Sequence, residues 1–388
     1  MIAQAINNKN FSEAITLLNS GEKLQKNINQ YALNQIFDTL FREKQFEILN
    51  HFIKDKTIDN DVYEYDSFDK SIFVSLVRNL PSDDDSVVFL KEFISKFENC
   101  NDQIQNTTLL KYFIEKEVSL SFIEVLVESG CDANFISNSE ENYLHQIVKH
   151  RFNNEKSALD YLQFFINIGL DTNAQNIVRE TPLIVAINNN RNYFVEMLLQ
   201  NGANPNEVDQ KGNSAYYYAV AHKFDFQLYK LLSQYDTAQF DVLNSNKESF
   251  FFTYVRGLQS ISDTTTDFLV TLLADGADLY LPNSWYSEDK TALDIIAEKS
   301  SDILQVVLDS GKVEINFQDN LGNTLLHKVC AYNVNYSQDA AKETYKKVKL
   351  LLENGADATI VNDQDKTAIM LAMEDNLKVK TVELLLKK

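Results

Sequence analysis

The sequence predicts an all-α protein built as a solenoid of stacked helix pairs, and three observations carry that expectation. Glycine and proline number only 10 and 4 among 388 residues, too few for a β-protein rich in tight turns. A Thr-x-Leu-like helix start recurs at Thr108, Asn142, Thr181, Ser214, Ser249, Thr291, Thr324 and Thr367, in steps of 34, 39, 33, 35, 42, 33 and 43 residues. Self-similarity at such a period marks a repeat array. Within each period two short apolar stripes at helical spacing flank a polar break. Two such helices cannot bury their stripes without stacking on neighbours.

Taken in chain order, the first hundred residues keep the rhythm without the marker, in AINNKNFSEAITLLNSG and QIFDTLFREKQFEILNHFI. The run SDDD at residues 82–85 reads as a solvated turn whose carboxylates favour the start of the helix SVVFLKEFISKF. The unit from Glu180 is the clearest, ETPLIVAINNNRNYFVEMLLQNGANPNEVDQKGNSA. Leu183, Ala186 and Ile187 form its first stripe, Asn188 to Asn192 the break, and Phe194, Val195, Leu198 and Leu199 the second stripe. Thr181 is placed to accept an N–H at the helix start, and Pro182 suits the first turn, where its missing N–H costs nothing. Gly202 stops the second helix where a left-handed cap favours a residue without Cβ, and Gly130, Gly276, Gly311 and Gly355 recur at that place. Three long units carry extra residues between their helices, HRFNNEKSALD, GLQSISDTTTD and AYNVNYSQDAAKETY, which either decorate one edge or lengthen the helices. The last unit is expected to act as a cap with a polar outer side, Lys378, Lys380, Lys387 and Lys388 compensating the carbonyl end of the final helix.

The pairs TPLIVA with MLLQNGANPN and TLLHKVC with LLLENGADAT, together with TLLADGADL and LVESGCDAN, resemble the ankyrin repeat family, from about Thr107 to the C-terminus. Two units depart from its pattern: the one at Ser214 ends in LLSQYDTAQFDV without glycine, and the one at Ser249 reads SFFFTYV where smaller residues are usual. The expected organisation is about ten units. Residues 1–104 form divergent helical repeats, as the N-terminal part or cap of the solenoid, and residues 105–388 are ankyrin repeats ending in a capping unit at about 362–388. The resemblance also answers a question raised by GNTLLHKVC, where a histidine lies three residues before a cysteine in a chain with 5 His and 3 Cys. His327, like His145 in NYLHQIV, takes the family's Thr-x-x-His position, whose imidazole is expected to hydrogen-bond between adjacent repeat loops. Cys330 falls on the packed stripe, and zinc would need about four ligands.

The sequence holds no Gly-x-Gly-x-x-Gly, phosphate-loop lysine, Gly-x-Ser-x-Gly or His-Glu-x-x-His motif, so no catalytic, cofactor-binding or metal residue is expected. With 36 basic and 56 acidic residues the net charge is -20, which repels nucleic acid and suits either a basic protein partner or plain solubility. Three distant cysteines fit reduced thiols in a cytosol. The first residues lack a basic start followed by an apolar core, and no window approaches 18 uninterrupted apolar residues. A cytoplasmic monomer away from membranes is the expectation.

By resemblance, the function is a non-catalytic protein-binding module that uses its inner helices and finger loops. The family's contact positions fall here on Glu141, Glu180, Gln210, Lys211, Glu248, Glu288, Asn320 and Asp363 in fingers. On the inner helices they fall on Asn188, Asn189, His222, Arg256, Lys299, Tyr332, Glu374 and Asp375. Trp285 and Tyr286, at the tip of a finger, have the amphipathic rings of binding anchors, or else pack on a neighbouring finger. Of the run Tyr216, Tyr217 and Tyr218, some members should reach the surface unless the array's curvature hides them. The Asn, Lys and Ile-rich composition looks like that of an AT-rich bacterial genome. This leaves open an immunity protein that masks a basic toxin, or an effector delivered into a host cell.

Overall fold

The computed structural model describes residues 1–25, 28–286 and 288–387, and Lys388 lies outside them. Its chain divides into two compact units, one of Met1–Ile177 with Asn189–Gly202, the other of Val178–Asn188 with Ala203–Lys388. In the first unit the helices come in pairs: Ile2–Asn7 and Phe11–Asn19, Gln30–Arg42 and Phe46–Lys54, Ile72–Asn79 and Asp84–Ile94, Leu109–Glu115 and Leu120–Glu128, Tyr143–Lys149 and Glu155–Asn167. First helices stack on first helices, as Gln30–Arg42 does on Ile72–Asn79, and second on second, as Asp84–Ile94 does on Leu120–Glu128. The stretch without the sequence marker is therefore built like the rest. Asn29 and Ser71 cap its helices as Thr108 caps the next, and Asp83 of the SDDD run accepts the N–H of Ser86. Its core is aromatic. Phe41, Phe73 and Phe93 are buried there, and the rings of Phe41 and Phe93 meet edge to face at 6.0 Å.

The second unit repeats the arrangement in Phe250–Gly257 with Asp263–Ala274, Ala292–Glu298 with Ser301–Asp309, Leu325–Ala331 with Gln338–Glu353, and Ala368–Met373 with Val379–Leu385. Every expected start residue is an N-cap. Thr108, Asn142, Thr181, Ser214, Ser249, Thr291 and Thr324 each accept a backbone N–H three residues on, while the Thr367 hydroxyl has no partner among the described residues. The unit that lacks a terminal glycine departs locally: after Ala215–Tyr217 its first helix continues as a π-helical turn, Tyr218–His222. Tyr216 is fully buried, whereas Tyr217 and Tyr218 are half-buried. The extra residues of the long units lengthen the second helices, to 13, 12 and 16 residues against 9 in Ser301–Asp309. On the last helix pair Met370, Met373, Val379 and Leu386 are exposed, so its surface is more apolar than the expected cap.

Between the helix pairs run finger turns built on one side-chain acceptor. Asp209 Oδ1 accepts the N–H groups of Lys211 and Asn213, Asn244 those of Asn246 and Glu248, Asp319 those of Leu321 and Asn323, and Asn362 those of Gln364 and Lys366. Each acceptor lies five residues before its helix cap, and the residue two before the cap is left-handed: Gly212, Lys247, Gly322 and Asp365. Glycine is required at two of these. A Cβ on Gly212 would meet Asn244 Cα at 2.9 Å, and one on Gly322 would meet the Asp363 nitrogen at 2.8 Å. The neighbouring finger comes that close because the fingers are joined: Ser245 N–H donates to Lys211 O, Asp363 N–H to Leu321 O, and Asn362 Nδ2 to Asn323 Oδ1.

Three lysines link consecutive helix pairs at the C-termini of the inner helices. Lys299 Nζ donates to the carbonyls of Arg256 and Leu258, Lys347 Nζ to that of Ala297, and Lys378 Nζ to that of Cys330, each at a helix C-terminus where positive charge is favoured. Lys378 thus serves the preceding unit and not the final helix, and Lys380 pairs with Glu383. Burial lowers the Lys347 pKa to about 8 and also lowers those of Lys299 and Lys378.

His327 is structural in the same sense. The Thr324 N–H and hydroxyl both lie on Nδ1, which fixes the neutral tautomer with Nε2–H donating to Lys366 O of the next finger. Burial holds its pKa below the ordinary 6.5, against the opposing backbone contacts. His145 is also buried, its Nδ1–H donating to Asn142 Oδ1 at 2.7 Å. Because the folded state resists protonation at His327, the unfolded state gains protons first as pH falls below 6.5, and stability drops. His327→Ala is expected to cost about 1–3 kcal/mol at neutral pH through the orphaned Lys366 carbonyl and Thr324 cap. It should also shrink the stability loss between about pH 6.5 and 5, read by urea titrations at both values. An unchanged pH response would mean that other groups carry it.

Candidate functional site

A finger residue just before the cap and the end of the inner helix lie eight residues apart, and the helix brings them together. Glu141 pairs with Lys149, Glu180 accepts from Asn188 Nδ2, Glu248 pairs with Arg256, Lys290 pairs with Glu298 at 2.7 Å, and Lys366 pairs with Glu374 at 2.7 Å. Each finger is thereby braced against its own helix. Sequence reasoning treated many of these residues as contact positions and missed the brace, although a charge at each end of an eight-residue spacing is visible in the sequence. Glu248 is buried and Glu141 nearly so, since a carboxylate at the edge of an apolar stack is stable only when paired. Neither presents a free charge. Lys299 likewise caps Phe250–Gly257, and the Asp375 carboxylate accepts the Leu377 N–H. Asn189, Gln210, Lys211, His222, Glu288, Asn320, Asp363 and Glu374 are exposed.

The finger before Thr291 is longer than the others and closes as an antiparallel hairpin of β1 (Asn283–Trp285) and β2 (Glu288–Lys290). Trp285 is half-buried in it. The Arg256 guanidinium lies 4.3 Å from its ring centre, and Phe252 and Tyr286 meet it edge-on at 6.5 and 4.5 Å. Of the two rings expected at the tip, Trp285 packs on the neighbouring inner helix. Tyr286, 84% exposed with a left-handed backbone, is the one that projects.

Beyond the hairpin a groove of about 710 Å³ opens between β2, the turn at Asn320 and the helices Ala292–Glu298 and Leu325–Ala331. Three expected contact residues, Glu288, Asn320 and Tyr332, line it. Its walls also carry Asp289, Asp294, Glu298 and Asp319, against Lys290 and Lys328. Lys328 sits between Asp294 and Asp319, 2.6 Å from the latter. Burial would lower the Lys328 pKa, but the two carboxylates outweigh it and raise it. Burial would likewise raise that of Asp319, but the ammonium and two backbone N–H groups hold it below the usual carboxylate range. This leaves Glu288 and Asp289 exposed at the mouth, with Pro282, Leu321 and Tyr332 as apolar surface. Among the described residues no group of three or more His, Cys, Asp or Glu could hold a metal, and no helix is long and apolar enough to cross a membrane.

Residues 152–244 match a family model described as ankyrin repeats in three copies. The chain is 24% identical over 225 residues, 57% of its length, to the ankyrin repeat protein L371 of Acanthamoeba polyphaga mimivirus, covering 26% of that protein. It is 23% identical over 220 residues, again 57% of its length, to the B-cell lymphoma 3 protein homolog of Mus musculus, covering 46% of it. The chain thus spans less than half the length of these relatives. Among solved structures, the ankyrin repeat domain of Bcl-3 aligns with a TM-score of 0.49 and 21% identity, over 65% of this chain and 100% of that one.

The Arg256–Trp285 stack is expected to be worth about 0.5–2 kcal/mol to the second unit. A double-mutant cycle of Arg256→Ala and Trp285→Ala, read by chemical denaturation, measures it. Strictly additive losses would show that the ring and the guanidinium are only neighbours.

Proposed function

We propose that this chain, whose residues 152–244 match ankyrin repeats, binds a partner protein through the acidic groove beside the hairpin, taking a segment rich in Lys or Arg. Ankyrin repeat domains are in general protein–protein interaction modules. The observation that carries the reading is the groove's composition: a concave surface with carboxylates on its walls, two of them exposed at the mouth, and an apolar patch at Leu321 and Tyr332. Carboxylates so placed attract a basic segment and speed encounter, while the apolar patch and the projecting Tyr286 supply desolvated contact. The net charge of -20 extends the same field to longer range. Masking of a basic toxin fits this electrostatic character. The three free cysteines, two of them buried, fit a reducing cytosol.

The test is an affinity capture with mass spectrometry from the cells that make the protein, followed by kinetics on the partner found. Glu288→Lys with Asp289→Lys is expected to slow association about tenfold or more at low salt, with a smaller effect near 0.5 M salt. Tyr286→Ala is expected to act on dissociation instead, costing about 2 kcal/mol. Substitutions on the second-helix surface serve as the control. An association rate indifferent to salt and to the mouth residues would assign the acidity to solubility alone.

A further inference from the structure

We infer a second docking site, of opposite charge, on the second-helix face near the C-terminus: a groove between Gln338–Glu353 and Val379–Leu385 that takes an acidic amphipathic helix. The two helices pack together and leave a depression of about 520 Å³. Its floor is apolar, made by Ala341, the Tyr345 ring and Leu377, and Lys342, Lys346 and Lys380 stand around it. Among the described residues no carboxylate lines it, in a chain with an acidic excess of twenty. Thr381, 1% exposed, lines the same depression, and its hydroxyl has no hydrogen-bond partner among the described residues. A buried hydroxyl without a partner is costly and is relieved by a polar group brought to it.

The lysines are held lightly. Lys342 lies 3.5 Å from Asp339, Lys346 2.6 Å from Glu343 and Lys380 2.8 Å from Glu383, each three residues away on its own helix. Exposed pairs of this kind are worth little, so the ammonium groups can turn to an incoming anion. Glu343 keeps its other role if Lys346 leaves, since one of its oxygens accepts the Ser301 N–H and hydroxyl. Lys342 and Lys346 are one helical turn apart, about 6 Å along the axis, which matches carboxylates spaced four residues apart on a second helix. Apolar side chains of that helix would sit on Tyr345 and Leu377 while its carboxylates meet the three ammonium groups, a helix-in-groove mode of recognition. An anionic membrane is the less suitable occupant, because the site is concave and the whole chain is strongly negative.

The probe is a fluorescein-labelled peptide of about 15 residues, with leucines on one face flanked by glutamates four apart, and a control with glutamine for glutamate. Fluorescence anisotropy with the full chain is expected to show saturable binding of the acidic peptide and at least tenfold weaker binding of the control. The chain bearing Lys342→Glu, Lys346→Glu and Lys380→Glu should lose at least tenfold, and so should Tyr345→Ala. Glu288→Lys with Asp289→Lys should leave the affinity unchanged, which separates this site from the acidic groove. Thermal melts check that the variants fold, and Lys→Gln at the same three positions replaces the reversal if that chain melts early. The inference is overturned by equal affinity of the triple variant, by no saturable binding up to about 1 mM peptide, or by lysine-dependent sedimentation with phosphatidylserine vesicles where the peptide does not bind.

Discussion

The finger turn, folded around a single Asx oxygen, is the element on which the rest of the second unit depends. A short helix cannot hold itself in water, and a pair of them cannot bury its stripes alone. What fixes the spacing from pair to pair is the turn in which Asp209, Asn244, Asp319 or Asn362 accepts two backbone N–H groups, five residues ahead of the next helix cap. With the turn closed, the backbone of one finger meets the next through Ser245 and Asp363, and the cap residue arrives with its oxygen over the new helix. Gly212 and Gly322 are then consequences of how closely the fingers approach.

Much of this was legible in the sequence. The start residues Thr108 to Thr324 are caps because a hydroxyl or carboxamide before an apolar stripe has one good use, and the thirty-odd residue period exposes them. His327 was legible for the same reason, its register placing it against the next finger. The π-helical turn at Tyr218–His222 was not, because no local residue signals a one-residue excess in a helix. The first hundred residues show the helix rhythm in sequence without the marker, and phenylalanines such as Phe41 and Phe93 fill their core.

The candidate contact residues were legible only as positions. Sequence register names Glu141, Glu248 and Lys299 correctly as finger or helix-end residues, but it does not say which way each charge is spent. At the edge of an apolar stack an ionised group needs a partner, and the nearest one is on the same unit: Lys149 for Glu141, Arg256 for Glu248, and the carbonyls of Arg256 and Leu258 for Lys299. Glu288 and Asp289 on the long hairpin and Asp363 on the last finger are by contrast exposed.

The hairpin shows how a repeat array acquires a distinctive surface without disturbing its core. Extra residues in the finger before Thr291 extend it past its neighbours, so that it can no longer be braced by its cap-adjacent residue alone. Trp285 supplies the second brace by lying against Arg256, which is itself held by Glu248 of the preceding finger. That chain of contacts fixes the base of the hairpin, leaves Tyr286 projecting, and sets the wall of the acidic groove beside it. Rigidity at the base is what lets exposed carboxylates keep a defined geometry, since a partner then has little loop entropy to remove on binding. The half-buried aromatic and the exposed charges are in this sense one device, and the stack holds in place the surface that the charges present.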